Sequence, residues 1–125
     1  MEDEVDLSKV AFLQPFFQTH RGIEIPSDRT NDPFSVAHEI IKESSSLRAV
    51  IFLPGTQFDR FGTRHGRGGG WYDRFLSQIP TDWIRVGVTD ISQVSNKRLV
   101  RQSWDEPVDW ILFSEGVYKI QEKFL

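Results

Sequence analysis

The hydrophobic positions of this chain fall in short blocks whose spacing predicts strands that alternate with helices. The first block, Val10–Phe17, contains a proline and is typical of an edge strand. The polar stretch over 19–33, which contains glycine and prolines, indicates a loop. Asp32 and Pro33 match a helix N-cap and first helical position, and an apolar stripe then predicts a helix that ends near Ser45.

The second half of the chain continues this alternation. Ala49–Leu53 is a continuous apolar run closed by Pro54, as expected of a strand buried on both faces. After a glycine-rich loop, apolar residues at helical spacing predict a helix from about Gly70 to Ile79. The remaining predictions are a strand at Trp83–Val88, a short helix within Ile91–Val100, a strand at Asp109–Phe113 and a closing helix marked by Val117, Ile120 and Phe124.

This order of elements predicts an α/β fold built on a mostly parallel sheet. A length of 125 residues favours a single domain over 1–125, with the acidic residues 1–9 expected to be a disordered terminus. In parallel sheets, ligands bind beyond the carboxyl ends of the strands. The glycine-rich loop follows the Ala49–Leu53 strand, so we expect it to lie at a ligand site.

Composition and charge narrow the class of ligand. The net charge of −3 argues against nucleic acid as a partner, but Asp59–Arg74 holds four Arg and two Asp and is locally +2. A basic loop on an acidic body favours a small anionic ligand. The absence of cysteine excludes disulfides, thiolate metal sites and a cysteine nucleophile. No apolar run approaches the roughly 20 residues of a membrane span, and the start does not match a signal peptide, so we expect a cytoplasmic protein without membrane contact.

The loop sequence GTRHGRGGGWYDRF, Gly62 to Phe75, contains the candidate chemistry. It lacks the Gly-Lys-Ser/Thr of a Walker A loop, and Trp71 stands where a dinucleotide fingerprint needs glycine. Bare glycines nevertheless let backbone N–H groups approach an anion. Arg64 and Arg67 add forked donors suited to phosphate, and Asp73 is the carboxylate placed to bind Mg²⁺ beside it. These residues favour a phosphate site.

Other interpretations of the same region stay open. The glycines also fit a tight strand-to-helix connection with solvated arginines, and an Arg-Gly segment beside aromatic residues can stack on RNA bases. Asp59 and Asp73 are candidates for an acid–base pair, although Asp59 fits hydrogen bonding within its own loop better. His65 lies inside the loop and is a candidate ligand contact. Three tryptophans fit core or rim packing better than stacking on a ligand: Trp83, Trp104 and Trp110.

The motifs of this chain resemble those of a known family, the 5-formyltetrahydrofolate cyclo-ligases (methenyltetrahydrofolate synthetases). Its members carry a strand ending in Pro-Gly, then Phe-Asp, then G-x-R-x-G-R-G-G-G-Tyr-Tyr-Asp, and later Pro-Val-Asp before an apolar strand. This chain has LPGTQFDRFGTRHGRGGGWYDRFL (Leu53–Leu76), EPVDWIL (Glu106–Leu112) and RGIEIP (Arg21–Pro26). Trp71 replaces the family's first Tyr. The resemblance covers about residues 21–114.

The resemblance implies a three-layer α/β/α sandwich and an enzyme that uses ATP and Mg²⁺. The implied reaction converts 5-formyltetrahydrofolate to 5,10-methenyltetrahydrofolate, ADP and phosphate, so ATP and a reduced folate would be the ligands. Arg67 would be the charged donor to the phosphates, Tyr72 would lie beside the reacting folate, and Asp73 and Asp109 would bind the metal. The implied nucleotide site comprises Arg64, Gly66, Arg67, Gly68, Gly69, Gly70, Trp71, Tyr72 and Asp73.

The resemblance leaves a second hypothesis open. Family members begin with a basic helix and a further strand and helix that contact nucleotide and folate. In the corresponding part of this chain, Lys9 alone is basic. The chain would then be a non-catalytic nucleotide-binding module, or it would self-associate or use a partner chain to complete the site.

Overall fold

A central sheet and two helices organise the part of the chain that the structure describes. The structure is a computed structural model, and it describes residues 20–25, 30–44, 48–66 and 69–124. In chain order, its elements are β1 (His20–Glu24), α1 (Pro33–Ser44), β2 (Arg48–Pro54), β3 (Gln57–Asp59), β4 (Arg64–His65), α2 (Trp71–Leu76), β5 (Ile84–Val88), a 3₁₀ turn (Ile91–Gln93), β6 (Val94–Ser95), β7 (Trp110–Phe113) and β8 (Gly116–Lys119).

Some of the sequence predictions fall on residues outside the described ranges. They are the disordered terminus at 1–9, the edge strand Val10–Phe17 and two residues of the phosphate site, Arg67 and Gly68. These remain predictions.

The main sheet has the strand order β1-β2-β5-β7-β8. Strands β1, β2, β5 and β7 run parallel to one another, and β8 is antiparallel to β7. The predicted α/β class with a mostly parallel sheet is therefore confirmed. Each new parallel strand is added on the same side of the sheet, so right-handed crossovers place their helices on one face.

The two faces of the sheet carry separate apolar clusters. Both helices pack against the first face, whose sheet residues include Ala49, Ile51 and Ile111. The second face carries Val50, Phe52, Val86, Val88 and Leu112. Strand β2 is buried on both faces, as its continuous apolar run predicts. No α-helix within the described ranges packs on the second face, so the second helical layer of the predicted sandwich stays a prediction.

The predicted closing helix around Val117, Ile120 and Phe124 is wrong. The segment Gly116–Lys119 forms β8, which pairs with β7 through a two-residue turn. Such a short turn returns the chain directly onto the neighbouring strand, where its backbone groups complete the ladder. Ile120 still reaches the core, because its N–H donates to Asp109 O at the far end of the hairpin.

Smaller differences concern short elements. The predicted loop over 19–33 contains β1, a short edge strand with few apolar residues, which explains its weak signal. Helix α2 ends at Leu76, but tight turns after it still bury Ile79. Within the predicted short helix Ile91–Val100, only the 3₁₀ turn is helical. In the described part of the chain, no helix combines the length and apolar character that crossing a membrane requires.

A small second sheet, in the order β4-β3-β6, packs on the main sheet through Phe58. Phe58 is fully buried and lies against Gly55 and Gly87, one after β2 and one within β5. A Cβ added at Gly55 would lie 2.7 Å from the Phe58 ring, and one at Gly87 would lie closer still. Both glycines are therefore required by the close approach of this ring.

We predict that Gly87→Ala destabilises the fold by about 1–3 kcal/mol, because the added methyl group overlaps Phe58. Chemical denaturation measures the change. Gly116→Ala is the matched control, because a Cβ there has only ordinary contacts, with the nearest atom at 3.7 Å. Adding Phe58→Leu to Gly87→Ala should recover part of the loss. Equal stabilities of the two alanine variants would contradict this packing.

Candidate active site at the carboxyl end of the sheet

A cavity of about 850 Å³ lies beside the carboxyl end of β2. One wall comes from the glycine-rich loop and the start of α2: Arg64, His65, Gly66, Gly69, Gly70, Trp71, Tyr72 and Asp73. Residues from the loop after β6 form another wall: Val100, Gln102, Trp104 and Asp105. This volume is within the range of small-molecule sites. Every residue of the sequence-predicted phosphate site that falls in the described ranges lines this cavity.

Arg64 supplies positive charge to the first wall. Its side chain is buried, its Nη1 donates to Pro54 O (2.8 Å), and its guanidinium lies 4.8 Å above the centre of the Tyr72 ring. The guanidinium is also next to Gly66, where an added Cβ would lie 3.1 Å from Nη1. Glycine at this position therefore avoids crowding the guanidinium.

Gly69 and Gly70 give the loop its turn into α2. Their φ angles are +81° and +67°, in the left-handed region that glycine adopts without strain. No atom lies within 4 Å of a Cβ placed at either residue, so close packing does not explain them. The left-handed backbone conformation explains why both residues are glycine, and the space around them is open to the cavity.

Trp71 and Tyr72 fix the start of α2 in the core. Trp71 donates from Nε1 to Asn31 O (2.8 Å) and stacks on Phe75 at 5.6 Å between ring centres. Its edge contacts Tyr72 at 5.1 Å. Both residues are buried, so the end of the glycine loop is tied to the segment before α1.

Asp73 is a half-buried carboxylate in the first turn of α2. Its Oδ1 accepts a hydrogen bond from Glu106 N (3.0 Å). Burial raises the pKa of Asp73, and the nearby carboxylates of Asp105 and Glu106 raise it further. The Glu106 N–H and the Arg64 guanidinium oppose this rise in pKa, but the net direction is upward. The ionised form of Asp73 is thus incompletely stabilised by the protein itself.

Arg85 attaches the 105–109 segment to α2. This buried side chain donates to Leu76 O (3.0 Å) at the end of α2 and forms an ion pair with Glu106 (3.1 Å). Since the Glu106 N–H bonds Asp73, Arg85 fixes the residue that supports this carboxylate.

The side chain of Asp59 forms hydrogen bonds to both of the loops that supply the two walls. It is fully buried, and its Oδ1 accepts hydrogen bonds from Phe61 N (2.9 Å) and Thr63 N (3.0 Å). Its Oδ2 accepts one from Leu99 N (2.8 Å), in the other loop. This arrangement matches the loop-fixing interpretation of Asp59 and gives no support to an acid–base pair with Asp73.

The structure does not bring Asp73 and Asp109 together. Asp109 precedes β7 and accepts a hydrogen bond from Arg85 N (2.8 Å), near the amino end of the sheet. Its other carboxylate oxygen forms an ion pair with Lys123, and it lines a separate, smaller cavity. The implied shared metal site of Asp73 and Asp109 therefore does not match the geometry, because a residue before a parallel strand lies at the edge opposite the glycine loop.

Sequence reasoning missed the wall over 100–105. Trp104 lies at the cavity with 63% of its surface exposed, whereas Trp83 is buried in the core. His65 does not point freely into the cavity, because its Nε2 donates to Val100 O (2.5 Å). A large apolar side chain inside the polar sequence RQSWDEP was the available signal for this wall.

Asp59→Ala should destabilise the fold by about 3–5 kcal/mol, because it leaves three backbone N–H groups without their acceptor. Asp59→Asn keeps one acceptor oxygen and should lose less. Denaturant titration measures both variants. Asp82→Ala removes an exposed carboxylate that pairs with Arg48 and should cost no more than about 1 kcal/mol. If Asp59→Ala lost no more stability than Asp82→Ala, the three hydrogen bonds would not organise the loops.

Asp73→Asn should stabilise the protein at pH 7, because asparagine keeps an acceptor for Glu106 N but cannot ionise. A raised pKa means that the folded state holds the proton more tightly than the unfolded state. Wild-type stability therefore falls as pH rises from about 3.8 through the raised value. Thermal unfolding from pH 3 to 7 should show the advantage of Asp73→Asn disappear at the acid end. A constant difference, or a similar gain in Asp82→Asn, would contradict this.

Comparisons with known proteins point to one family. The model of the 5-formyltetrahydrofolate cyclo-ligase family matches residues 3–114. The 5-formyltetrahydrofolate cyclo-ligase of Haemophilus influenzae is 40% identical over 65 residues, 50% of this chain and 34% of that protein. The mitochondrial 5-formyltetrahydrofolate cyclo-ligase of Arabidopsis thaliana is 59% identical over 29 residues, 23% of this chain and 10% of that protein. The matched segments thus span about a third and a tenth of these relatives.

Two solved structures share the fold. The 5,10-methenyltetrahydrofolate synthetase of Aquifex aeolicus has a TM-score of 0.61 and 22% identity, over 95% of this chain and 81% of that one. The 5,10-methenyltetrahydrofolate synthetase of Mycoplasma pneumoniae has a TM-score of 0.55 and 21% identity, over 84% and 79%. Fold, motif order and the match over residues 3–114 lead to one conclusion: this chain belongs to the 5-formyltetrahydrofolate cyclo-ligase family.

Proposed function

We propose that this protein converts 5-formyltetrahydrofolate to 5,10-methenyltetrahydrofolate with ATP and Mg²⁺, releasing ADP and phosphate. The observation that carries the proposal is the cavity in which Arg64, the loop glycines and Asp73 converge beside the carboxyl end of β2. In the proposed reaction, the formyl oxygen attacks the γ-phosphorus of ATP and ADP leaves. The neighbouring folate nitrogen then attacks the activated formyl carbon, loses its proton and closes the ring as phosphate leaves. Such phosphoryl transfer depends on positioning and charge stabilisation more than on a protein nucleophile.

The described residues fit the phosphates of ATP. Arg64 brings a guanidinium group that is held in place by Pro54 O and the Tyr72 ring. Gly66, Gly69 and Gly70 present backbone without side chains along the same wall. Backbone N–H groups and an arginine fork are the usual partners of phosphate oxygens. The Tyr72 ring packs against the Arg64 guanidinium, and Arg67 remains a predicted second donor to the phosphates.

Asp73 fits the part of a single carboxylate ligand to Mg²⁺. The described residues contain no group of three or more His, Asp or Glu side chains suited to a metal ion. Mg²⁺ needs no such cage when substrate phosphates and water supply the other oxygens. Bound there, the metal would neutralise charge on the phosphates, and its own charge would stabilise the ionised Asp73. The proposed site contains Asp73 but not Asp109.

The purified protein with ATP, Mg²⁺ and 5-formyltetrahydrofolate should generate the strongly absorbing methenyl product, which is followed by its absorbance. Asp73→Asn should abolish turnover although it stabilises the fold, which separates function from folding. Arg64→Met should weaken ATP binding about 10- to 100-fold, because a charge-assisted contact is lost. Asp82→Asn and Arg48→Met remove the same charges from an exposed ion pair outside the cavity and should leave both measurements unchanged.

Titration calorimetry separates this proposal from the binding-module hypothesis. Heat from ATP without turnover at high protein concentration would favour a module, or a site that self-association or a partner chain completes. Binding of neither ATP nor the folate would overturn both.

A further inference from the structure

We infer that the indole of Trp104 is a stacking surface for the planar heterocycle of a ligand in the cavity. This inference rests on the proposed function and adds a specificity-determining residue to it. The ring is either the purine of ATP or the pyrimidine ring of the reduced folate, and each presents a flat π face to an indole.

The first observation is the exposure of two apolar side chains at the cavity. Among the exposed large hydrophobic residues of the described ranges, Val100 and Trp104 have the highest exposed fractions, 77% and 63%. Both line the cavity rather than the outer surface of the sheet. Tryptophan is usually well buried, so an exposed indole at a cavity wall is a site where a ligand can remove apolar surface from water.

The second observation is that the loop bearing Trp104 is fixed before any ligand binds. Leu99 N bonds the buried Asp59, and Val100 O accepts from His65. Gln102 N donates to Asp105 Oδ2 (2.8 Å) across the turn that carries Trp104, and on the other side of Trp104 Glu106 N donates to Asp73. A loop whose backbone is held between two anchors loses little backbone freedom on binding, which favours the use of its side chains as contact surfaces.

The third observation is the division of chemistry within the cavity. The glycine-loop wall offers a guanidinium group and backbone, whereas the 100–105 wall adds two exposed apolar side chains, Val100 and Trp104, beside the polar Gln102 and Asp105. A ligand that matches both walls combines an anionic group with a flat ring. ATP and the folate both have this composition.

The test measures dissociation constants of ATP with Mg²⁺ and of 5-formyltetrahydrofolate separately, by titration calorimetry. The variants are Trp104→Leu, Trp104→Phe and, as a control, Ile91→Ala, which shortens an exposed apolar side chain that does not line the cavity. Base–aromatic stacking predicts that Trp104→Leu weakens one of the two ligands about 5- to 150-fold. Trp104→Phe keeps a flat ring and should retain most of the affinity, and Ile91→Ala should be unchanged.

The affected ligand identifies the stacked ring. Unchanged affinities in Trp104→Leu would overturn the inference, and so would equal losses for both ligands, because these indicate a distorted cavity. A Trp104→Phe variant as weak as Trp104→Leu would also overturn it, because flatness would then not matter. If the wild-type protein binds neither ligand, the proposed function itself fails. If the wild-type protein binds and the Trp104 variants bind equally well, only the stacking inference fails.

Discussion

The buried carboxylate of Asp59 is the interaction on which the site depends. Two loops, one on either side of the cavity, need partners for backbone N–H groups that are buried or partly buried. Asp59 accepts from Phe61 and Thr63 in the first loop and from Leu99 in the second. Arg64 follows directly from the first loop, and Trp104 lies on the second. A single side chain therefore joins the loop that leads to Arg64 to the loop that carries Trp104.

Asp59 can reach this position only because Phe58 packs so closely on the main sheet. The ring of Phe58 occupies the space that side chains at Gly55 and Gly87 would fill. Its neighbour in sequence is thereby held over the carboxyl ends of β2 and β5. The glycines of this chain thus have two separate physical roles. Gly55 and Gly87 permit close packing, whereas Gly69 and Gly70 permit a left-handed backbone.

The sequence predicted those parts of the structure that depend on residues close together in the chain. The apolar runs of β2, β5 and β7 and the stripe of α1 are local patterns, and the glycine loop with Arg64 and Asp73 is one contiguous motif. The 100–105 wall was missed because its position depends on a hydrogen bond from Leu99 to Asp59, 40 residues away. The prediction of a closing helix was wrong because Val117, Ile120 and Phe124 fit helical spacing, whereas the turn after β7 forms a hairpin. Asp109 was grouped with Asp73 by family resemblance, although its place before a parallel strand puts it at the other edge.

Arg64 and Asp73 differ in how well the surrounding protein stabilises their side chains. Arg64 is supported by a carbonyl and an aromatic ring, so its position does not depend on a ligand. Asp73 is instead half-buried, and the carboxylates of Asp105 and Glu106 lie nearby. Both its burial and these neighbours disfavour its negative charge. Arg85 and Glu106 hold it there through a backbone N–H, so the carboxylate cannot relax toward water without breaking these contacts. A group that the fold keeps in an unfavourable charge state lowers stability, and such costs are typical of functional sites. In the proposed function a bound cation would remove this cost, so the energy that disfavours ionised Asp73 would become part of the free energy of metal binding.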